Sequence, residues 1–243
     1  MPAESSSDPA AVTPGAAAPT LRWPGRVALL LLNTLPLAHL LAVLATLFAP
    51  ATLTWPARLA LAAGVLYLLP PLLARAVLHA WPVRQTRSAA GSREFFVWWA
   101  TFQLQVIFCR FPALEELLRV VPGLYSQWLR LWGARIGRFT YWAAGTLLTD
   151  RSFLHVGDDV VFGAGVRLNA HVLTRGADGR VELLLAPVRI GHRALVGGYS
   201  LLTAGTELAD DEASRAFLIS PPFSRWRAGR RDRTPAAAAH EHE

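Results

Sequence analysis

Lysine is absent from this sequence, and cysteine and methionine occur once each. The lone Cys109 excludes a disulfide framework within the chain and any paired-cysteine zinc or redox motif. Charged residues occupy only 17% of the 243 positions, whereas soluble domains carry about 25%. Because 53% of the residues are hydrophobic, the composition excludes a disordered chain and differs from that of an ordinary soluble enzyme.

The positive charge comes from arginine alone. All 24 basic residues are arginines, and the formal net charge is +7. Many of them flank apolar runs, which favours a role in membrane orientation over nucleic-acid binding. We therefore expect a lipid bilayer as a partner and no nucleic acid. The richness in arginine and alanine is also typical of a GC-rich bacterial gene.

Two long apolar runs, residues 27–49 and 59–80, predict a transmembrane helical hairpin. The first run has no charged residue and extends about 35 Å as a helix, enough to cross a hydrocarbon core of ~30 Å. The short connection holds only Arg58, whereas several arginines precede and follow the hairpin. The positive-inside rule then places both ends of the hairpin in the cytoplasm.

Two polar residues, Asn33 and His39, interrupt the first apolar run. Polar groups inside a membrane are often functional, but they also join neighbouring helices through hydrogen bonds. We favour the second interpretation for both residues.

The segment after the hairpin is rich in aromatic residues. Residues 93–111 leave open a third span or a helix lying in the membrane interface, and two glutamines and several tryptophans favour the interface. Residues 113–132 have the apolar spacing of two short amphipathic helices. The predicted divisions are a disordered tail at 1–20, the hairpin at 21–92, interfacial helices at 93–132, a repeat domain at 133–220 and a basic, disordered tail at 221–243.

A six-residue period begins after Gly133. The hexads run IGRFTY, WAAGTL, LTDRSF and, after a slip of two residues, VGDDVV, FGAGVR, LNAHVL. An interruption of sixteen residues follows, and the phase resumes as IGHRAL, VGGYSL, LTAGTE, LADDEA. This period fits neither a helix nor a simple strand but is typical of a parallel β-helix with three hexads per coil. The hexads begin with Ile136, Trp142, Leu148, Val156, Phe162, Leu168, Ile190, Val196, Leu202 and Leu208, which are the predicted inward ladder.

Four sequence words extend this pattern: LRLWGARIG (129–137), TDRSFLHVGDDVVFGAGVRLNAHV (149–172), APVRIGHRALVGG (186–198) and SRWRAG (224–229). With them the chain resembles the left-handed parallel β-helix (hexapeptide-repeat) acyltransferase superfamily. The closest likeness is to membrane-anchored members similar to the C-terminal region of poly-amino-acid synthetases. The resemblance implies a homotrimer, an acyl-CoA site between neighbouring β-helices and a histidine general base.

Site residues follow from this resemblance by position. His171, at the end of a hexad before the interruption, looks like the general base, and histidine has a suitable pKa for that task. Asn169 and Asp150 are candidates for substrate binding, although both are also common as polar corner residues. The candidates for holding the donor, acyl-CoA or acetyl-CoA, are Gly197, Gly198 and Ser200. No tightly bound cofactor is expected.

A zinc site on the histidines is a weaker alternative. His155, His171 and His192 are spaced by 16 and 21 positions, without the two close ligands that a β-helix zinc enzyme places in one subunit. We expect no metal.

The stretch with the donor candidates departs from the family pattern at one place. The basic residue that family members usually carry after the VGG motif is replaced here by Ala204 and Gly205.

Two functions remain open at this stage. The first is a membrane-anchored acyltransferase that moves an acyl group from acyl-CoA to a hydroxyl or amine. The second is a non-catalytic β-helix module that assists a peptide-synthesising or export complex, with a lipid or polymer passage as a weaker third idea. In each case we expect a multi-pass protein of the bacterial plasma membrane with its β-helix in the cytoplasm.

Overall fold

The first part of the fold is helical. The structure is a computed structural model that describes residues 23–48, 52–176 and 179–232, so the predicted tail at 1–20 and the end of the predicted basic tail lie outside the described residues. The helices are α1 (Trp23–Asn33), α2 (Leu35–Phe48), α3 (Trp55–Tyr67), α4 (Leu69–Ala80), α5 (Arg93–Arg110), α6 (Ala113–Val120) and α7 (Leu124–Leu131).

The helices α1 to α4 form two apolar stretches that pack side by side. Trp23–Phe48 and Trp55–Ala80 are each 26 residues, long and apolar enough to cross a membrane. Each is interrupted once, at Thr34 and at Leu68, close to the prolines that follow. Their large apolar side chains are mostly exposed, unlike those of a core helix in a soluble protein.

The polar residues of the first stretch join helices, as predicted. Asn33 Oδ1 accepts hydrogen bonds from the Trp99 indole at 2.9 Å and from the Gln103 amide at 2.8 Å. His39 Nε2 donates to the Val65 carbonyl in the other stretch at 3.0 Å. The interpretation of both residues as helix-joining groups is confirmed.

Helix α5 packs between the hairpin and the coils, and its expected place at a membrane interface stays a prediction. Its buried residues include Trp98 and both glutamines. Gln103 bonds to Asn33, and Gln105 Oε1 accepts from the backbone and guanidinium of Arg151 at 2.9 and 3.0 Å. Both glutamines therefore form hydrogen bonds inside the protein to residues that lie far away in sequence.

The second part of the fold consists of short strands. They are β1 (Thr86–Ala89), β2 (Arg135–Ile136), β3 (Tyr141–Trp142), β4 (Leu147–Leu148), β5 (Leu154–Val156), β6 (Val161–Phe162), β7 (Arg167–Leu168), β8 (His171–Arg175), β9 (Val181–Leu185), β10 (Val188–Ile190), β11 (Leu195–Val196), β12 (Leu201–Leu202), β13 (Glu207–Leu208), β14 (Ile219–Ser220), β15 (Arg225–Arg227) and β16 (Arg230–Asp232).

Most of these strands stack in parallel on three faces. Face one contains β2, β5, β10, β13 and β15, face two contains β3, β6 and β11, and face three contains β4, β7, β12 and β14. The chain visits the faces in this order, so each circuit forms one coil. We call the turn from face three to face one the third corner and the turn from face two to face three the second corner.

The register reproduces the irregularities of the repeat. Glu207 pairs with Arg189 and Arg225, each eighteen positions away, which is three hexads. His155 pairs with Arg135, twenty positions away, because of the two-residue slip, and with Arg189, thirty-four away, because of the interruption. Both irregularities fall at the third corner.

The hexad-starting residues form the interior of the coils. All ten are buried, as predicted, and Trp142 and Phe162 stack with ring centroids 4.4 Å apart. The glycine after the inward residue permits backbone contact between coils: a Cβ on Gly137 would lie 2.2 Å from the Gly157 carbonyl oxygen. The repeat therefore specifies both an aliphatic core and close stacking.

Two segments differ from the sequence prediction. The interruption forms the β8–β9 hairpin, and β1, from the region assigned to the helical hairpin, pairs antiparallel with β9. Residues 221–232 contain β15 and β16 instead of a disordered tail. The segment is ordered because Trp226 continues the stack beside Leu208 and Arg225 forms an ion pair with Glu207 at 2.9 Å.

Candidate active site

The two irregularities of the repeat place Asp150 and His171 together at the third corner. Asp150 ends the first coil, just before the 3₁₀ turn Arg151–Phe153 that contains the slip. His171 opens β8, at the start of the interruption. Coil stacking brings these positions into register, although they lie 21 residues apart.

The site is centred on a direct contact between the side chains of Asp150 and His171, which we call the dyad. His171 Nδ1 lies 2.6 Å from Asp150 Oδ2. The carboxylate is almost fully buried, whereas 18% of the histidine side chain is exposed. A carboxylate bound to Nδ1 orients the ring and leaves Nε2 of the neutral tautomer as the proton acceptor.

Asp150 is held by three side chains in all. The Trp98 indole donates to Oδ1 at 3.0 Å, and the Thr149 hydroxyl donates to Oδ2 at 3.0 Å. Burial alone would raise the pKa of this carboxyl, but the charge of His171 and these hydrogen bonds outweigh burial and lower the pKa. Asp150 is thus an anion at neutral pH that binds His171, and the contact with substrate expected from the sequence stays a prediction.

The pKa of His171 shifts in the opposite direction to that of Asp150. Burial acts to lower the pKa of the imidazole, but the negative charge and hydrogen bond of Asp150 overcome it and raise the pKa. The ring also lies against Trp98 and Phe102, at centroid distances of 4.7 and 5.4 Å. The result is an oriented imidazole of increased proton affinity that packs against two aromatic rings.

A buried charge network supports the turn that carries Asp150. Arg151 is fully buried, forms an ion pair with Glu115, and lies over the rings of Phe108, Trp128 and Trp132. Glu115 also accepts from Arg119 and from the Tyr125 hydroxyl. The coulombic effect of Glu115 overcomes the burial that would lower the pKa of Arg151 and raises that pKa. This network holds the turn Arg151–Phe153, which follows Asp150, in place.

Asn169 lies two residues before His171 at the same corner. Its backbone N–H donates to the Leu202 carbonyl of the next coil at 2.9 Å, and the residue is half-buried. It is therefore near the dyad by position, and a contact with substrate stays a prediction.

Gly197, Gly198 and Ser200 lie at the second corner, away from the dyad's corner of the same chain. The Ser200 hydroxyl is fully buried, donates to the Gly197 carbonyl at 2.7 Å and accepts from Leu218 N–H at 3.1 Å. A Cβ on Gly197 would lie 2.4 Å from the Ala216 backbone nitrogen. Gly197 and Ser200 are buried in the coil stack, whereas Gly198 is half-buried, and a contact of these residues with a donor stays a prediction.

The other two candidate histidines are separate from His171. His155 projects from face one and lies 2.6 Å from Arg189 through Nδ1, and burial together with Arg189 and Arg135 lowers its pKa to about 4. His192 accepts a hydrogen bond from the Asp158 backbone at 3.0 Å. Within the described residues, no group of three or more histidine, cysteine or carboxylate side chains is placed to hold a metal ion.

Sequence reasoning missed Trp98 and Phe102. Both lie on α5, at least 69 positions before His171, so no spacing rule connects them with the dyad. The density of aromatic residues in the segment after the hairpin was the available signal, and it was interpreted as a preference for the membrane interface.

Comparison with known proteins finds similarity only among solved structures. No protein-family model matches the chain, and no curated protein matches it. A maltose O-acetyltransferase from Clostridium difficile 630 is 16% identical, over 63% of this chain and 90% of that one, with a TM-score of 0.38. A galactoside acetyltransferase in complex with coenzyme A is 14% identical, over 50% and 78%, with a TM-score of 0.32. A hexapeptide-repeat-containing acetyltransferase from Vibrio cholerae is 11% identical, over 50% and 89%, with a TM-score of 0.28. At such low similarity, the activity of this chain must be argued from its own residues.

Proposed function

We propose that the protein is a membrane-anchored acyltransferase of the left-handed parallel β-helix type, with His171 as general base. The observation that carries the proposal is the 2.6 Å contact between His171 Nδ1 and the buried Asp150 carboxylate at the mouth of the β8–β9 hairpin. An acyl-CoA thioester is the donor, and a hydroxyl or amine is the acceptor. The family resemblance of the surrounding hexads supports this assignment.

The reaction needs no protein nucleophile. His171 Nε2 takes the proton of the acceptor while the acceptor oxygen or nitrogen attacks the thioester carbonyl carbon. The carbon–sulfur bond then breaks, and the protonated imidazole returns its proton to the coenzyme A thiolate. Asp150 stabilises the imidazolium that exists between these two steps.

The membrane anchor is supported by the exposed apolar surface of the helical part. The two stretches Trp23–Phe48 and Trp55–Ala80 present many uncovered leucines. The α6–α7 segment also exposes Leu117, Val120 and Val121. Exposed apolar surface of this extent is expected to be covered by a bilayer or a partner.

A homotrimer is supported by the outward side of face two. Tyr141, Val161 and Leu195 are stacked in register there, and all three are exposed. At the adjoining second corner, Tyr199 and Phe217 are also exposed and stack with centroids 5.4 Å apart. A neighbouring copy packed on this face would remove these apolar side chains from water.

The test measures coenzyme A release from acetyl-CoA by the full chain in phosphatidylcholine nanodiscs, with water, serinol (2-amino-1,3-propanediol) or its long-chain analogue sphinganine as acceptor. His171→Gln is expected to lower the rate at least about 100-fold, the range for a lost general base. His192→Gln is the control and should retain the rate, because this histidine lies at an exposed corner. A His171→Gln variant with full activity would refute the proposal.

One observation favours the non-catalytic alternative. The predicted donor residue Ser200 is engaged in packing, and Phe223 approaches Gly205, where a Cβ would lie 2.5 Å from its ring. A pure assembly module would bind no coenzyme A. Saturable binding of coenzyme A to the nanodisc-embedded chain, measured by calorimetry, would therefore exclude it.

A further inference from the structure

Three aromatic side chains of α5 connect the dyad with the first apolar stretch. Trp98 and Phe102 contact the His171 ring. Trp99 packs against both of them, at centroid distances of 5.4 and 5.9 Å, and donates to Asn33 Oδ1. We call Trp98, Trp99 and Phe102 the aromatic ridge, and it runs without interruption from the base to α1.

The ridge presents carbon surface at the level of the apolar helices. Trp99 and Phe102 are half-buried, so part of each ring remains accessible, whereas Trp98 is buried. Asn33 lies at the end of α1, about 15 Å along the helix from Trp23, so the ridge meets this stretch well inside its length. The Gln103 bond to Asn33 fixes α5 at that point.

The contacts that His171 makes offer few hydrogen-bonding groups to a polyol or a free amino acid. Such acceptors need several well-placed hydrogen-bonding groups. The ring contacts of His171 are aromatic, and both oxygens of its carboxylate partner Asp150 already accept hydrogen bonds inside the protein. Carbon surface that continues into an apolar hairpin suits an acyl chain instead.

The geometry points to a membrane-embedded amphiphile as the acceptor, a lipid whose chain lies along the aromatic ridge and whose head-group hydroxyl or amine reaches His171. This inference rests on the proposed acyl transfer and specifies its acceptor. The head group gives its proton to Nε2, its oxygen or nitrogen forms the new bond to the thioester carbon, and coenzyme A leaves as the reprotonated thiol. The product stays in the bilayer as an ester or amide.

The experiment compares two acceptors that share one head group. Sphinganine in phosphatidylcholine vesicles and serinol in water both carry an amine beside two hydroxyls, but only sphinganine has a long chain. The full chain is reconstituted in the same vesicles, and coenzyme A release from acetyl-CoA is measured with each acceptor and with neither. We expect His171-dependent release with sphinganine to exceed release with serinol at least about tenfold, the effect of a small apolar group in a fitted pocket.

A matched pair of variants tests the ridge. Phe102→Gln should lower the sphinganine-to-serinol ratio about tenfold, because a polar side chain replaces ring surface beside the base. Phe96→Gln, a half-buried position of the same helix outside the ridge, should leave the ratio unchanged.

The outcomes separate this inference from the function on which it depends. Equal or faster transfer to serinol, or His171-dependent hydrolysis that sphinganine does not increase, would overturn the membrane acceptor and leave the acyl-CoA chemistry standing. Absence of any His171-dependent release with either acceptor or with water would overturn both.

Discussion

The indole N–H of Trp98 donates to Asp150 across 3.0 Å, while the ring of the same tryptophan lies against His171. One side chain from the helical part thus touches both members of a pair that the coils assemble. Helix α5 and the coils therefore build the site jointly, and its geometry depends on how they pack.

Removing this donor while keeping a ring should weaken the site. In Trp98→Phe the carboxylate loses one hydrogen bond, and such a bond to a charged group is worth about 1.5–3 kcal/mol. We expect the rate of coenzyme A release to fall at least about tenfold. Trp142→Phe removes a buried indole donor whose partner is Ser126, far from the dyad, and should leave the rate intact. Equal rates for both variants would contradict a positioning role for Trp98.

The pH dependence of the reaction should show the effect of Asp150 on the pKa of His171. Because Asp150 raises the pKa of His171, the neutral base should predominate only above the ordinary value of about 6.5. The rate is therefore expected to rise with pH through that raised pKa. In Asp150→Asn the charge is gone and burial remains, so the acidic limb should move to lower pH. A pH–rate profile of kcat/KM decides this, and an unmoved limb would count against the pairing.

The same pair should stabilise the fold within a defined pH range. The raised pKa of His171 gives stability that is complete below about pH 6.5 and is lost as the pH rises through its folded pKa. The lowered pKa of Asp150 gives stability present above about pH 4 and lost as the pH falls through its folded pKa. His171→Gln should therefore lower Tm more at pH 5.5, about the middle of this range, than at pH 9.

The ion pair between Arg151 and Glu115 should be costly to break. Both side chains are almost fully buried, so Glu115→Gln leaves an uncompensated guanidinium in the core, a change worth about 3–5 kcal/mol of unfolding free energy. The exposed, bidentate pair of Arg193 and Asp211 is the control, and Asp211→Asn should shift unfolding far less. Thermal unfolding of the three proteins in one detergent checks both expectations.

Close contact between coils favours glycine at the second position of a hexad, as at Gly157. A Cβ on Gly157 would lie 2.7 Å from the His192 backbone nitrogen, so Gly157→Ala should cost at least about 2 kcal/mol. In α3 an added Cβ on Gly64 meets nothing within 4 Å, and Gly64→Ala should stabilise by up to about 1 kcal/mol. Opposite shifts in Tm are the expected result.

Self-association should depend on the outward apolar column of face two. Leu195→Glu places a charge in this apolar column, next to Val161, and should reduce the mass of the detergent-solubilised protein to that of one chain. Arg167→Glu changes charge on the outward side of face three and serves as the matched control. Light scattering after size-exclusion chromatography measures both masses, and an unchanged Leu195→Glu trimer would exclude face two as the interface.

The repeat was predictable because it is local. Each inward residue, such as Ile136, is specified by its place in a hexad, and the slip and interruption appear directly as lost phase. The partner of Asp150 was not predictable by the same reasoning, since its contact with His171 depends on the register between coils. The 46-position contact between Gln105 and Arg151 is more distant still.

Composition alone is a weak guide to structure where one residue type is common in two kinds of environment. The arginines after residue 220 suggested a tail, yet Arg225 and Arg227 flank Trp226, which supplies another rung of the stack. The aromatic richness of α5 suggested an interface, whereas much of it is core. Hydropathy reports that a side chain avoids water but does not report what replaces the water.

The strand β1 has a consequence for how this chain can be divided. It precedes α5 in sequence, yet it pairs with β9, which in turn pairs with the strand that begins at His171. Cutting the chain between β1 and α5 would leave β9, the neighbour of the strand that begins at His171, with an unpaired strand edge. A fragment that begins at α5 is therefore expected to expose a strand edge that the full chain covers.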